Sequence, residues 1–278
     1  MSNFILQDKI KPVLKWAGGK TSILPKLVEN FPQKFNRYIE PFFGGGAVFF
    51  SLAEGIPTLI NDFNPELFNL YSVIRDSSIE LTQILDKYTQ KYSEDFYYEL
   101  RKTKLENKIE LAARTLFLNK TGFNGLFRRN LKGEFNVPFG KRLKCPALYV
   151  LDNILSVSKK LKTTNIFNED FETILNMAED GDFIYCDPPY EPLSITSSFN
   201  NYNGLGFSQN EQKRLYECAK QASLKGSFVA ISNSSAPFIL ELYKEFEVKR
   251  ILARRSINSN GLKRGEIDEV LVVIPSKK

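Results

Sequence analysis

The sequence predicts an α/β protein, a mostly parallel sheet with helices on both faces, carrying an inserted and mainly helical second domain. Three observations lead there. Short β-branched and aromatic runs alternate with helical stretches over most of the chain, and strand–helix–strand repetition is how parallel neighbours are connected. The alternation stops between residues 71 and 146, where helical patterning takes over. At 278 residues the chain also exceeds the usual size of one domain, which leaves room for an insertion.

Strands are expected at Arg37–Glu40, Thr58–Asp62, Thr164–Phe167, Asp182–Asp187, Gly226–Ser232, Val248–Ala253 and Ile267–Ile274. Asn64-Pro65-Glu66 starts a helix, with an N-cap residue followed by proline at the first helical position. Ser208, followed three residues later by Glu211, reads as the capping box of another. Between the strand groups, Ile79–Tyr92 and Lys108–Lys120 carry polar helical patterns, followed by a loop rich in Asn, Gly, Arg and Phe. Residues 1–70 and 147–278 are therefore assigned to one discontinuous domain and 71–146 to the insertion. No Pro/Ser-rich spacer, low-complexity tract or repeat separates them, so the insertion is expected to pack on its host.

Hydrophobic residues make up 42% and charged residues 25% of the chain, a globular balance that argues against disorder. No apolar run approaches the roughly eighteen residues that span a bilayer. The N-terminal stretch, interrupted by Lys9, Lys11 and Lys15, lacks a signal-peptide core, so a cytoplasmic location is expected and no membrane partner. The three cysteines, Cys145, Cys186 and Cys218, are odd in number and far apart, which fits reduced thiols rather than a disulfide framework or zinc cluster. Histidine is absent altogether. That excludes histidine general-base catalysis, Ser-His and Cys-His dyads, and histidine-containing metal sites. A net charge of +6 and a pI near 9.0 suit an acidic partner such as nucleic acid without requiring one.

Four segments carry chemistry. Asp187-Pro188-Pro189-Tyr190 follows the apolar run Phe183–Cys186, so a strand delivers one carboxylate onto backbone that has lost two N–H donors. Carbonyls, the Asp187 carboxylate and the flat face of Tyr190 together suit a planar, aromatic amine. Glu40-Pro41-Phe42-Phe43-Gly44-Gly45-Gly46 follows another strand, and Asn61-Asp62 ends the next one. Glycines there let a ligand approach the backbone, and an acid such as Asp62 accepts both hydroxyls of a ribose, as in dinucleotide and adenosyl cofactor sites. Lys15-Trp16-Ala17-Gly18-Gly19-Lys20-Thr21 ends like a phosphate-binding P-loop, but Leu14 stands where that motif needs its first glycine. The segment reads better as a loop whose Trp16 and Lys20 meet a cofactor. Finally, Lys120–Arg142 interleaves basic residues with Asn and Phe, as a surface does that contacts phosphates, bonds base edges and wedges between bases. Lys249-Arg250 and the run from Arg254 through Gly261 to Lys263-Arg264 extend that basic footprint.

In the order KWAGGK, EPFFGGGAVF, ND, FNGLFRRNLKGEFNVPFG, DPPY and RRSINSNG, the chain resembles the Dam-type DNA adenine N6-methyltransferases over nearly its whole length. The resemblance implies a Rossmann-like methyltransferase domain that uses S-adenosylmethionine on double-stranded DNA, with the insertion as target-recognition domain. It assigns Trp16, Lys20, Asp62, Asp187 and the Gly44–Gly46 backbone to the cofactor, with Phe171 beside the cofactor adenine. Asp187, Pro188, Pro189 and Tyr190 hold the target adenine. Lys15, Phe123, Asn124, Leu126, Arg128, Asn130, Asn136 and Pro138 fall to DNA, and the matches imply the site GATC. Phe123 stands where close relatives carry Tyr, which keeps the intercalating ring and loses its hydroxyl. Arg128 suits bidentate bonding to guanine.

The mechanism so implied localises the N6 lone pair. Asp187 and the Pro188 carbonyl accept the amino hydrogens while Tyr190 stacks on the ring, and transfer proceeds in line without a covalent intermediate or a metal. A monomer suffices for one base, and DNA binding would bring the enzyme to the nucleoid. Two other readings share these residues. A Pro-Pro-Tyr pocket also suits a methyltransferase of RNA or of protein glutamine. An inactive DNA-binding regulator is the other, although Asp62, Asp187 and Tyr190 are all intact.

Overall fold

The computed structural model describes residues 3–4, 10–130, 132–193, 207–254 and 266–277. Seven strands form one sheet: β1 Arg37–Glu40, β2 Thr58–Asn61, β3 Thr164–Phe167, β4 Asp182–Cys186, β5 Phe228–Ser234, β6 Glu247–Arg254 and β7 Glu266–Ile274, in the order β3-β2-β1-β4-β5-β7-β6. The first five pair in parallel. β7 runs antiparallel between β5 and β6. The parallel pattern thus ends at β5, and β5, β7 and β6 form an antiparallel edge. Each expected strand is present; β5 is displaced, starting at Phe228 and continuing to Ser234.

Alternation along these strands decides the layers, because successive side chains point to opposite faces. On β4, Phe183 and Tyr185 enter one core, and Ile184 and Cys186 enter the other. On β7, Leu271 and Val273 join the first, while Val270, Val272 and Ile274 join the second. One face is covered by α1 Leu24–Val28 and the helices α2 Pro65–Asp76, α3 Ser78–Gln90, α4 Glu94–Lys102, α5 Lys108–Thr121 and α6 Leu151–Leu161. The other carries α7 Phe171–Asn176, α8 Gln209–Lys225 and α9 Pro237–Leu242. Phe183 shows why the layers hold: it is fully buried, with its ring 4.8 Å from Phe31 and 5.2 Å from Phe35. Burying one such side chain contributes about 1.5–3 kcal/mol.

The helix starts follow their local chemistry. The Asn64 side chain accepts the Glu66 N–H at 3.0 Å ahead of Pro65, so α2 begins where the sequence expects. Ser208 accepts the Glu211 N–H at 3.3 Å, while the Glu211 carboxylate pairs with Arg214 at 2.9 Å. Among the described residues no helix is long and apolar enough to cross a membrane. The second basic cluster is described only in part. Lys249 and Arg250 lie on β6, whereas Arg255–Gly261, Lys263 and Arg264 lie outside the described residues, as does Leu131.

Candidate active site

From β1 the chain steps outward to β2 and β3, then returns to β4 on the other side of β1. The loops after β1 and β4 therefore part at their carboxyl ends, the switch point where open α/β sheets leave a crevice for ligands. The Glu40–Gly46 segment follows β1, and Asp187-Pro188-Pro189-Tyr190 follows β4. Segments far apart in sequence thus border one cleft.

Around the β4 segment the charges are close. Lys20, on a short 3₁₀ turn Lys20–Ser22, is only 3% exposed, and its ammonium lies 2.7 Å from Asp187 Oδ2. The same ammonium sits 4.9 Å from the centre of the Tyr190 ring, in cation–π range. The Tyr190 hydroxyl donates to Glu269 Oε2 at 2.9 Å. Burial pushes the Asp187 carboxyl above its ordinary range, and Lys20 and Tyr190 pull it back. Burial likewise raises Glu269, against Lys20 and Tyr190. Glu40 is buried and bonded by the Tyr38 hydroxyl at 2.9 Å; burial pushes it well above the carboxylate range, against that bond.

A buried amide chain fixes the backbone behind this cluster. Gln212 Nε2 donates to the Pro189 carbonyl at 3.0 Å, and Asn233 Nδ2 donates to Gln212 Oε1 at 3.1 Å. Asn233 Oδ1 accepts the Glu191 and Ser234 N–H groups at 3.2 and 2.8 Å. Gln212 and Asn233 are both fully buried. The Pro189 carbonyl is thus engaged from behind.

At the neighbouring strand end, Asp62 Oδ2 accepts the Gly44 N–H at 2.8 Å and Oδ1 accepts the Asn64 N–H at 2.9 Å. Each oxygen keeps a further lone pair, so the carboxylate can still accept two hydroxyls, the demand of a ribose diol. Burial pushes Asp62 up to about 6, against those two N–H bonds. Gly44 has φ +49°, and a Cβ there would lie 2.8 Å from the Trp16 ring. Glycine is required both for that backbone and for Trp16 to lie against the loop. The residues thus fit an adenosyl group: an acidic acceptor, side-chain-free backbone and an aromatic wall. Phe171 is buried, its ring 5.4 Å from Phe42 and 5.6 Å from Phe207, with the Arg214 guanidinium 4.4 Å above it. The turn before Phe171 is tied to β2, since Asn61 bonds both the Glu169 carbonyl and its N–H, at 3.0 and 2.8 Å. Among the described residues no three His, Cys, Asp or Glu side chains are grouped to hold a metal ion.

Apart from Lys15 in the N-terminal loop, the expected DNA-facing residues lie after α5. Phe123 is 44% exposed, and Asn124 holds a left-handed backbone, φ 55°. Arg128–Asn136 forms a small hairpin: Asn136 N–H donates to the Arg128 carbonyl at 3.0 Å, and Arg129 bridges Phe135. Asn130 shapes its turn, accepting the Lys132 and Glu134 N–H groups at 3.0 Å each. Arg128 Nε donates to Asn136 Oδ1 at 2.8 Å, which orients the guanidinium on the exposed face. Pro138 is exposed and its carbonyl accepts the Phe123 N–H at 2.9 Å. Leu126 is half-buried, and Phe127 packs 5.0 Å from Trp16.

Asn119, fully buried near the end of α5, joins the two halves. Its amide accepts the Lys15 N–H at 2.8 Å and donates to the carbonyls of Lys15 and Gly125 at 2.8 and 3.0 Å. Sequence reading missed Asn119, Gln212, Asn233 and Glu269. The first three sit inside helix or strand patterns and only tertiary contacts reveal their partners. Glu269 carried one signal, a charged residue directly before the apolar run Val270–Ile274 in an expected strand.

Comparison with known proteins names this arrangement. Residues 16–257 match the model of the D12 class N6 adenine-specific DNA methyltransferases. The chain is 42% identical to the type II methyltransferase M1.LlaDCHI of Lactococcus lactis subsp. cremoris, over 97% of this chain and 98% of that protein. It is 39% identical to the type II methyltransferase M.MjaIII of Methanocaldococcus jannaschii, over 95% and 99%. It is 34% identical to the DNA adenine methylase of Escherichia coli strain K12, over 97% and 99%. The chain belongs to the D12 class of DNA methyltransferases, enzymes that methylate adenine in DNA at N6.

Proposed function

We propose that the enzyme moves the methyl group of S-adenosylmethionine to N6 of an adenine flipped out of duplex DNA, within GATC. The observation that carries this reading is the meeting of Asp187, Lys20 and Tyr190 at the switch point, beside an Asp62 carboxylate with acceptor sites to spare. S-adenosylmethionine supplies a methyl group on a cationic sulfur. Asp62 holds the ribose hydroxyls, while Trp16 and the Gly44–Gly46 backbone form the floor. Phe171 supports the wall beside the cofactor adenine. Asp187 and the Pro188 carbonyl accept the two amino hydrogens, so that the lone pair localises towards the methyl group, and Tyr190 holds the ring by stacking. The displaced proton passes to Asp187, whose buried carboxyl takes it more readily than an exposed one.

Flipping costs on the order of a few kcal/mol, offset by the pocket and by the Phe123 ring filling the gap. Lys15, Asn124, Leu126, Arg128, Asn130, Asn136 and Pro138 read or position the surrounding bases, with Arg128 on a guanine. In this reading 71–146 is the target-recognition domain and the remainder the catalytic one, working as a monomer on cytoplasmic or nucleoid DNA without a metal. A role in restriction–modification fits relatives called type II methyltransferases. A solitary role fits those called DNA adenine methylases. The test is methylation of a mixed-sequence duplex library with labelled cofactor, followed by mapping of the modified bases. Label on adenine N6 within GATC is expected; label on other sequences overturns the site, and label on RNA or protein alone overturns the substrate.

A further inference from the structure

Lys20 sets a physical problem for that chemistry. Its ammonium is 3% exposed and 2.7 Å from Asp187, so a fixed positive charge already occupies the cleft that a cationic methyl donor must enter. Asp187 by itself balances only one of the two cations, and an uncompensated charge in a partly buried site is costly. A second carboxylate stands beside it. Glu269, on β7, is 14% exposed, 4.0 Å from Lys20 Nζ, and accepts the Tyr190 hydroxyl at 2.9 Å. Methyl transfer as derived above does not use it. Nor does the tyrosine bond require a charge, since a glutamine oxygen accepts a hydroxyl hydrogen equally well.

We propose that Glu269 is the counter-charge of Lys20: it leaves Asp187 its full negative charge for the amine and gives this cluster, one cation against two carboxylates among the described residues, the single net negative charge that a cationic donor neutralises. Glu40, buried and bonded by the Tyr38 hydroxyl at 2.9 Å, is not among the carboxylates that reach Lys20 in the described residues. A consequence is discrimination between donor and spent cofactor. The two differ by that one charge, so Glu269 holds the sulfonium more tightly than the neutral thioether and eases release of the product. The proposal rests on the S-adenosylmethionine reading and deepens it.

The test is equilibrium binding of S-adenosylmethionine and S-adenosylhomocysteine to the full chain by calorimetry, with the ratio of the two affinities as readout. Glu269→Gln should lower the donor-to-product ratio about tenfold, Lys20→Gln should raise it, and Tyr190→Phe, which removes the bond and keeps the charge, should leave it within about twofold. An unchanged ratio in Glu269→Gln overturns the proposal, as does an equal shift in Tyr190→Phe. Equal loss of both ligands in Glu269→Gln also overturns it, because the role is then structural. Wild-type protein that binds neither ligand overturns the cofactor reading instead, which keeps the two failures distinct.

Discussion

Asp187 and Asp62 are carboxylates at the carboxyl ends of parallel strands, and their surroundings give them different work. Asp187 faces a buried ammonium and a tyrosine ring, and it is the only carboxylate in the Asp-Pro-Pro-Tyr segment. Replacing it with alanine should abolish methyl transfer while leaving duplex affinity within about an order of magnitude, because flipping contacts and phosphate contacts persist. Single-turnover assays with parallel DNA-binding measurements check this, and retained turnover removes Asp187 from the mechanism. Asp62 is held at about 6 by burial, so it is ionised above that pH and protonated below it. Only the ionised form can accept both ribose hydroxyls with the lone pairs that Gly44 and Asn64 leave over. Cofactor affinity should therefore fall as pH drops through about 6, and Asp62→Asn should bind weakly with no such inflection. A wild-type affinity flat from pH 7 to about 5 would count against Asp62 as the ribose ligand. Both residues were legible in the sequence because each stands at a strand end, Asp187 ahead of two prolines and Asp62 on the strand after the Gly44–Gly46 run. Glu269 was not, because the sequence does not say which residue a mid-strand side chain will face.

At the scale of elements, the hairpin after α5 is positioned by hydrogen bonds that cross the chain. Asn119, itself fully buried, ties Lys15 to Gly125 with three hydrogen bonds. Asn119→Ala strands the Lys15 N–H and two carbonyls, which should cost about 1–3 kcal/mol of stability and loosen the loop that carries Phe123. Chemical denaturation and duplex titration report the two effects, and wild-type values in both would show that the segments hold without this residue. Arg128, oriented by Asn136, is the hairpin's base reader in our proposal. Arg128→Ala should relax discrimination at one guanine by about 1–3 kcal/mol, read from methylation rates on single-base variants of the site. The loop's composition was legible, because basic, amide and aromatic residues rarely interleave without use. Its hairpin was hidden, since Arg128–Asn136 has no period-two apolar pattern and is held by the short Arg129–Phe135 bridge and the Asn130 turn.

The whole molecule places these parts through one topological reversal. Had β4 been added beyond β3, Asp187 would lie several strands from Glu40–Gly46; its return beside β1 puts both loops at one crevice. A chain of net charge +6 that methylates DNA displaces counterions when it binds. Raising salt from about 50 to 200 mM should weaken duplex affinity by an order of magnitude or more, measured by anisotropy on a fixed oligonucleotide. A flat response would indicate that phosphates contribute little. Read by itself, the sequence determined the fold class, the strand segments, the helical insertion and most of the candidate site, because alternation, capping and Pro/Gly punctuation are local signals written in neighbouring residues. Only the tertiary structure decided strand order, the antiparallel β5-β7-β6 edge, the Lys20–Asp187–Glu269 charge cluster and the buried amides behind it. Those depend on distances between residues remote in the chain, which burial and pairing set after the chain has folded.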